Sequence, residues 1–281
     1  MPSPLSPLPA VRGLFALGCA LALGACDLPA AQAPGGVAIS PLRAEPARAR
    51  SAEMTGRFRV VYGAVEDSTY AQWQDDFRQA RFLEDVAEWL NGWIALPHDV
   101  TIGFEKCGEP NAYYHPERRS VSLCYELVGD LDDALGGDAD DAGAQAVSDA
   151  LLFTTLHEVG HALVDVLDIP IAGREEDAVD QLAAVMLVDG SEEGSEAAVN
   201  GASGLASGEE ELDDLAFADE HALGLQRFYN VLCLVYGQDP GGYADWVNDG
   251  TLPAERAEGC EAEYAHVSRS WDRLLKPYLK D

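Results

Sequence analysis

The chain has 281 residues, of which 47% are hydrophobic, and this is enough to bury the core of one large or two small domains. It carries 49 acidic and 18 basic residues, which gives a formal net charge of -31. A surface of that sign repels polyanions, so nucleic acid is excluded as a partner. The acidity is most simply explained by solubility.

Residues 1–25 have the features of an export signal. Arg12 gives a positive start, and the apolar run that follows, Gly13 to Ala25, is too short to span a bilayer as a stable helix. The run ends in Leu23-Gly24-Ala25-Cys26, which resembles the lipobox of bacterial lipoproteins and implies that Cys26 carries a lipid. An ordinary secretory signal that is cleaved nearby is the alternative, and both interpretations predict export.

The remaining chain divides into an Ala- and Pro-rich tether over 26–55 and a folded domain over 56–281. We expect the domain to be anchored in the bacterial cell envelope and to face the periplasm. Four cysteines then lie in an oxidising compartment, and short loops favour two disulfides, Cys107 with Cys124 and Cys233 with Cys260.

The first part of the domain alternates strand-like and helical patterns. Strands are predicted at Phe58–Tyr62, Val100–Phe104 and Ser120–Tyr125, and one helix is predicted from Tyr70 to Leu96. The second part is mainly helical, with helices predicted at 145–167, 175–188, 212–236 and 254–279, and acidic loops at 129–143 and 189–214. The predicted class is α+β, with a small N-terminal sheet and a mostly helical C-terminal half.

The predicted helix over 145–167 contains His157-Glu158-Val159-Gly160-His161. Residues four apart share a helix face, so His157 and His161 can present their imidazoles to one metal ion. Zinc lowers the pKa of a water molecule towards neutrality, and Glu158 is close enough to accept the proton as the water attacks a carbonyl. This pattern predicts one Zn²⁺ per chain and hydrolysis of peptide bonds, although a bare motif of this length also occurs by chance.

A hydrolytic zinc site needs a third protein ligand. Glu176 and Asp180 share a face of the next predicted helix, so Glu176 is predicted as that ligand and Asp180 as the acceptor that orients a ligand histidine. The arrangement resembles the ExxxD element of thermolysin-like gluzincins. Glu175 and Asp177 are the alternative ligands, and a further alternative is that the three acids only complement the helix dipole.

The sequence Asn111-Ala112-Tyr113-Tyr114 looks like the edge strand over a thermolysin-type cleft, which predicts that Asn111 and Ala112 bind an extended peptide substrate. An ordinary strand rich in aromatic residues explains the same four residues. His221 and Tyr229 are the candidates for stabilising the oxyanion, from a late helix folded over the cleft. His221 is the one assigned a catalytic role.

Short motifs spread over nearly the whole domain point to one family. They are Cys107-Gly108, Asn111-Ala112-Tyr113-Tyr114, His157-Glu158-Val159-Gly160-His161, Gly173-Arg174-Glu175-Glu176-Asp177, Glu220-His221 and Gln226-Arg227-Phe228-Tyr229-Asn230. Together they resemble the DUF4344 family of metallopeptidases. The resemblance implies a zincin-like fold and peptidase activity on peptides or proteins. We expect the edge of the small N-terminal sheet to face the cleft.

Two further functions are compatible with the same residues. The chain could be a non-catalytic envelope lipoprotein that uses a zincin fold for binding or assembly, or a zinc amidase acting on a non-peptide cell-wall substrate. Glu158 favours an enzyme over a binder, because a pure binding protein has no need of a general base.

Overall fold

The computed structural model describes residues 54–136, 141–207 and 218–280. The predicted signal peptide, the lipidation site Cys26 and nearly all of the predicted tether lie outside these residues. In the described part, a four-stranded sheet and its helices precede a second half that is almost entirely helical. The predicted α+β class is therefore confirmed.

The sheet contains three parallel strands and one antiparallel edge strand. The strands are β1 (Phe58–Tyr62), β2 (Val100–Glu105), β3 (Ala112–His115) and β4 (Ser120–Cys124), in the spatial order β1-β2-β4-β3. Alternate residues of β2 are buried, as expected for a strand that presents one face to the core. β3 pairs antiparallel with β4 and forms an edge of the sheet.

The helices are α1 (Ser68–Ala80), α2 (Phe82–Trp93), α3 (Tyr125–Leu135), α4 (Asp141–Leu167), α5 (Glu175–Leu187), α6 (Glu192–Ala206), α7 (Gly224–Gln238), α8 (Ala244–Asp249), α9 (Ala254–Ala257) and α10 (Cys260–Leu275). The central helix is α4, which packs against α3, α5, α6, β3 and β4. Its length and composition would allow it to span a membrane, but 67% of its apolar stretch is buried inside the protein. We therefore interpret α4 as a core helix.

The predicted helix from Tyr70 to Leu96 is wrong, because the structure has two helices there. The break is at Arg81, whose φ of 58° is left-handed and ends α1 before α2 begins. The sequence pattern did not show this break, since the apolar spacing continues across it.

The acidic segment 189–214 is also not the predicted loop, since most of it forms α6. The Ser191 side chain accepts the Gly194 N–H at 3.0 Å and caps the helix. Small residues then pack closely on α4, and a Cβ added to Gly201 would lie 2.3 Å from the Cβ of Phe153. The packing surface of α6 consists of small residues. The segment therefore lacks the regular spacing of large apolar residues that predicts a helix, and its acidic residues suggested a loop.

Other predicted boundaries change less. Helices α3 and α4 cover much of the predicted loop over 129–143, and the last predicted helix is divided into α9 and α10. Helix α7 begins at Gly224, and the predicted start of that helix at Leu212 lies outside the described residues. Both predicted disulfides are present: Cys107–Cys124 links the loop after β2 to the end of β4, and Cys233–Cys260 links α7 to α10.

Candidate metal centre

Two helices bring the candidate ligands together. His157 and His161 lie one turn apart on α4, and Glu176 and Asp180 lie one turn apart on α5. The helices approach closely at Gly160, where an added Cβ would lie 2.8 Å from the Cβ of Val179 on α5. This close approach allows side chains from both helices to share one cluster.

The candidate ligand atoms of His157, His161 and Glu176 all lie within 4.8 Å of one another. Nε2 of His157 is 3.2 Å from Oε2 of Glu176, and Nε2 of His161 is 3.3 Å from Oε1. Oε2 of Glu176 is buried. Nε2 of His157 and Nε2 of His221 lie 3.2 and 3.0 Å from it, but these contacts lack the direction of a hydrogen bond, so Oε2 accepts none from the residues that the structure describes. Two imidazoles and a carboxylate that converge on one point, with an unsatisfied oxygen among them, fit a divalent transition metal.

The deep side of this cluster is a buried chain of polar contacts. Nδ1 of His157 is 2.7 Å from Oδ1 of Asp180. Arg227 on α7 donates to both oxygens of Asp180, at 2.7 and 2.8 Å, in a bidentate pair. Asp180 therefore holds the orientation of His157, and Arg227 holds that of Asp180.

The outer side is more exposed and uses different carboxylates. Nδ1 of His161 is 2.8 Å from Oε1 of Glu175, a side chain that is 45% exposed. Nε2 of His221 is 3.0 Å from Oε2 of Glu176, while its Nδ1 is 3.1 Å from Asp219. His221 thus reaches the cluster from the segment before α7, whereas we expected it within a helix.

Arg174 fixes the segment that carries His221. One of its terminal nitrogens, Nη2, donates to the carbonyl oxygens of Asp219, Glu220 and His221 at 2.5, 2.6 and 3.3 Å. Arg174 is also the residue that immediately precedes α5. It therefore couples the position of His221 to the helix that carries Glu176. Tyr229, the other predicted oxyanion candidate, lies beside Arg174 in a different pocket.

The carboxylates strongly perturb the titration of the histidines. Burial would lower the pKa of His157, but Asp180 and Glu176 outweigh it and raise that pKa to about 9. The pKa of His161 is raised in the same way by Glu176 and Glu175 against the effect of burial. Burial would raise the pKa of Glu176, but the three imidazoles beside it hold that pKa far below its usual value. The cluster is therefore a strong site for positive charge.

The cluster opens into a cavity of about 490 Å³. Its lining includes the edge strand β3, with Asn111 before it, and His221. Glu158 also lines the cavity, is only 7% exposed, and has a pKa raised by burial. The Tyr114 hydroxyl donates to Asp165 of α4 at 2.6 Å and so ties β3 to the helix that carries both histidines.

The sequence profile of DUF4344, described as "Putative metallopeptidase", matches residues 62–275. The chain belongs to this family. The family resemblance inferred from the motifs is thereby confirmed, and membership implies that the protein uses a metal. A search of curated proteins and a search of solved structures found no match.

In this DUF4344 chain the sequence did not reveal how three side chains support the cluster, namely Arg174, Glu175 and Arg227, although Glu175 was considered as a ligand and both arginines lie in the family motifs. The contact between Glu175 and His161 could have been predicted from the sequence. A second ligand histidine also needs an acceptor for its other ring N–H, and Glu175 begins the same helix as Glu176. The arginines had no local signal, since their partners lie about 45 or more residues away along the chain.

Proposed function

We propose that this DUF4344 protein is a zinc-dependent peptidase with a zincin-like fold that hydrolyses peptide bonds in the bacterial cell envelope. The observation that carries the proposal is the convergence of His157, His161 and Glu176 around a buried, unsatisfied carboxylate oxygen. Family membership agrees with it. The cavity beside the cluster provides room for a substrate.

His157, His161 and Glu176 would hold one Zn²⁺ per chain. Three protein ligands of this kind leave a coordination position open, which is typical of catalytic rather than structural zinc sites. The ion would supply Lewis acidity towards water and the substrate carbonyl. Asp180 and Glu175 accept hydrogen bonds from the outer ring nitrogens, so each ligand histidine keeps its inward nitrogen free to bind.

Glu158 is the proposed general base. Its carboxylate lines the cavity next to the proposed ligand histidines, and burial raises its pKa above the usual value of a glutamate, which favours uptake of a proton. It would accept a proton from the attacking water and pass it to the leaving amine. His221, held by Asp219 and Arg174, would donate to the substrate oxygen as negative charge develops there.

An extended peptide would bind along β3, whose outer edge has no strand neighbour in the described part of the chain. The side-chain oxygen of Asn111 accepts the Ala112 N–H at 2.9 Å. That N–H is therefore engaged within the strand, and the substrate contacts would come from the Asn111 side chain and from the remaining backbone of the edge.

The envelope location rests on the export signal and on the disulfides. Two disulfides in one domain fit an oxidising compartment and not a reducing cytosol. Lipidation of Cys26 would retain the domain at the membrane surface and leave it facing the periplasm.

The first experiment is to measure zinc per chain in the full-length protein, comparing wild type with His161→Ala and Glu176→Ala. His266→Ala, which removes an exposed histidine of α10, is the matched control. We expect one zinc per chain in wild type and in the control, and a sharp loss in the other two variants with the fold retained. If the folded wild type binds no zinc at micromolar supply, the hydrolase proposal fails and the binding lipoprotein replaces it.

The second experiment separates catalysis from metal binding. Glu158→Gln should keep its zinc, because Glu158 is not a proposed ligand, while the rate of cleavage of a peptide library should fall by roughly 10²–10⁴-fold. Equal cleavage by wild type and Glu158→Gln would contradict the role of Glu158. Cleavage of cell-wall amides with no cleavage of peptides would change the substrate class.

A further inference from the structure

A second pocket lies at the other end of α4, away from the metal centre. It has a volume of about 390 Å³ and is formed between the start of α4, the middle of α6 and the short helix α8. Gln145 in its wall precedes His157 by three turns of α4, or about 18 Å along the helix axis. The pocket is thus separate from the proposed catalytic cavity, and none of the residues lining it has a role in the proposed hydrolysis.

One wall of this pocket is aromatic. The rings of Tyr243 and Trp246 lie with centroids 4.4 Å apart and planes inclined by 39°, and both side chains are half-buried. In the described part of the chain, neither the Tyr243 hydroxyl nor the indole N–H of Trp246 has a hydrogen-bond partner. The wall therefore offers an apolar ring surface with polar groups at its margin.

The other wall is polar and is held in a fixed arrangement. Asp149 is only 7% exposed, and its two oxygens accept one hydrogen bond each, from Nε2 of Gln145 and Nδ2 of Asn200, both at 2.8 Å. No cation pairs with Asp149 among the described residues. This buried carboxylate fixes both amides, which leaves their carbonyl oxygens as acceptors in the wall of the pocket. Glu196 adds a carboxylate to the same wall.

We propose that this pocket binds a neutral saccharide. A sugar ring has a face of C–H groups, which packs on an aromatic ring, and a rim of hydroxyl groups, which donate to amide and carboxylate oxygens. The donors of Trp246 and Tyr243 complement the acceptors of Gln145 and Asn200 around such a ring. Neither Lys nor Arg is among the described residues that line the pocket, so a phosphate or another anion would find no counter-charge from them.

A small organic cation is less well matched. Binding of a quaternary ammonium group by aromatic residues depends on rings placed face-on around the charge. Among the described residues, Tyr243 and Trp246 supply only two rings, which both lie at the start of α8. The polar part of the lining, on α4 and α6, contains the Glu196 carboxylate but also two amides that Asp149 orients. Fixed amide acceptors recognise hydroxyl donors, which a quaternary ammonium group lacks.

The test is calorimetric titration of the full-length protein with two soluble neutral probes, tetra-N-acetylchitotetraose and maltotetraose. We expect saturable binding of at least one probe, weakened by about tenfold or more in Trp246→Ala and by several-fold in Asn200→Ala. Trp89→Ala, which removes a tryptophan of α2 that is 45% exposed, is the matched control and should bind like wild type. Circular dichroism of each variant verifies that the fold is retained.

Three results would overturn the proposal. They are the absence of saturable binding of either probe at millimolar concentration, equal affinity of wild type and Trp246→Ala, and Trp246-dependent binding of tetramethylammonium with no binding of saccharide. Zinc content is measured in the same samples and should not change in Trp246→Ala. The saccharide site and the metal centre can therefore fail independently of one another.

Discussion

The two sides of the candidate metal centre each place a carboxylate beside a histidine, but in different surroundings. On each side a carboxylate contacts Nδ1 of a candidate ligand histidine, Asp180 for His157 and Glu175 for His161. The Asp180 side chain is 10% exposed and is paired with Arg227, whereas the Glu175 side chain is 45% exposed and has no arginine partner among the described residues. The deep side is thus a closed network and the outer side an open one.

This difference in burial predicts how substitutions on each side affect the protein. A buried charge that loses its partner still carries the free-energy cost of desolvation. A single substitution on the deep side should therefore lower the free energy of unfolding of the whole domain. On the outer side water can replace a lost partner, so a change there should affect mainly the metal. We therefore expect the deep network, which links α4, α5 and α7, to stabilise the packing of the helices, and the outer contact to act mainly on the geometry of the proposed ligand His161.

The largest expected effect is that of Arg227→Met. The variant leaves the Asp180 carboxylate buried without its bidentate partner, so we expect a loss of about 3–5 kcal/mol in the free energy of unfolding. Denaturant unfolding measures it. Arg59→Met is the matched control, because Arg59 also pairs with an aspartate, Asp99, but both side chains are exposed. In the control the free energy of unfolding should fall by at most about 1 kcal/mol. If it falls by a similar amount in both variants, the deep contacts are no more important for stability than exposed ones.

Acid should weaken the deep side in a defined range of pH. Burial would raise the pKa of Asp180, but Arg227 and His157 lower it to about 2, below the value of about 3.9 in an unfolded chain. A lowered pKa stabilises the fold above the unfolded value, and that stability is lost as the pH falls towards the folded value. The difference in unfolding free energy between wild type and Asp180→Asn should therefore narrow by roughly 2 kcal/mol between about pH 5 and pH 2.

The prediction is wrong if the difference in unfolding free energy between wild type and Asp180→Asn stays constant from about pH 5 to pH 2. That result would show that the fold does not stabilise the ionised form of Asp180. The comparison uses the difference between two proteins, because the other acidic groups of the chain titrate in both and cancel to first order.

Much of the fold follows from local patterns in the sequence. Alternation identified β2 and β4, helical spacing identified α4 and α5, and short loops identified the disulfide pairs. The errors came where local patterns were ambiguous. The left-handed residue Arg81 interrupts a continuous helical pattern, and α6 packs through small residues in a segment whose acidic side chains suggested a loop.

The candidate site also contains residues that local patterns predict and residues that depend on tertiary contacts. The spacing of His157, His161, Glu176 and Asp180 is local within two helices, so the sequence could propose how they meet. Arg227 and Arg174 depend on how α7 and the segment before it fold back over α5, which no spacing encodes. The sequence therefore predicted the proposed ligands and Asp180, which contacts one of them. It did not predict that Arg227 pairs with Asp180 or that Arg174 fixes the segment of His221.

A smaller effect is expected where α4 and α5 touch. In Gly160→Ala the new methyl group would lie 2.8 Å from the Cβ of Val179, so the helices must separate. We expect a net loss of about 1–2 kcal/mol in unfolding free energy, since overpacking outweighs the better helix propensity of Ala. Zinc affinity should fall too, because each helix carries proposed ligands. Gly92→Ala on α2 meets no atom within 4 Å and should be neutral or slightly stabilising.

The smallest expected effect on stability is that of Glu175→Gln. Its carboxylate is exposed, so the free energy of unfolding should change by less than about 1 kcal/mol. The amide keeps an oxygen that can accept from His161 but lacks the charge, and we expect zinc affinity to fall by roughly tenfold. Asp177→Asn, a change of the same charge in the same turn of α5, should leave the affinity near that of wild type. If Glu175→Gln destabilises the fold as much as Arg227→Met does, the outer side belongs to the same closed network, and the division between the two sides is wrong.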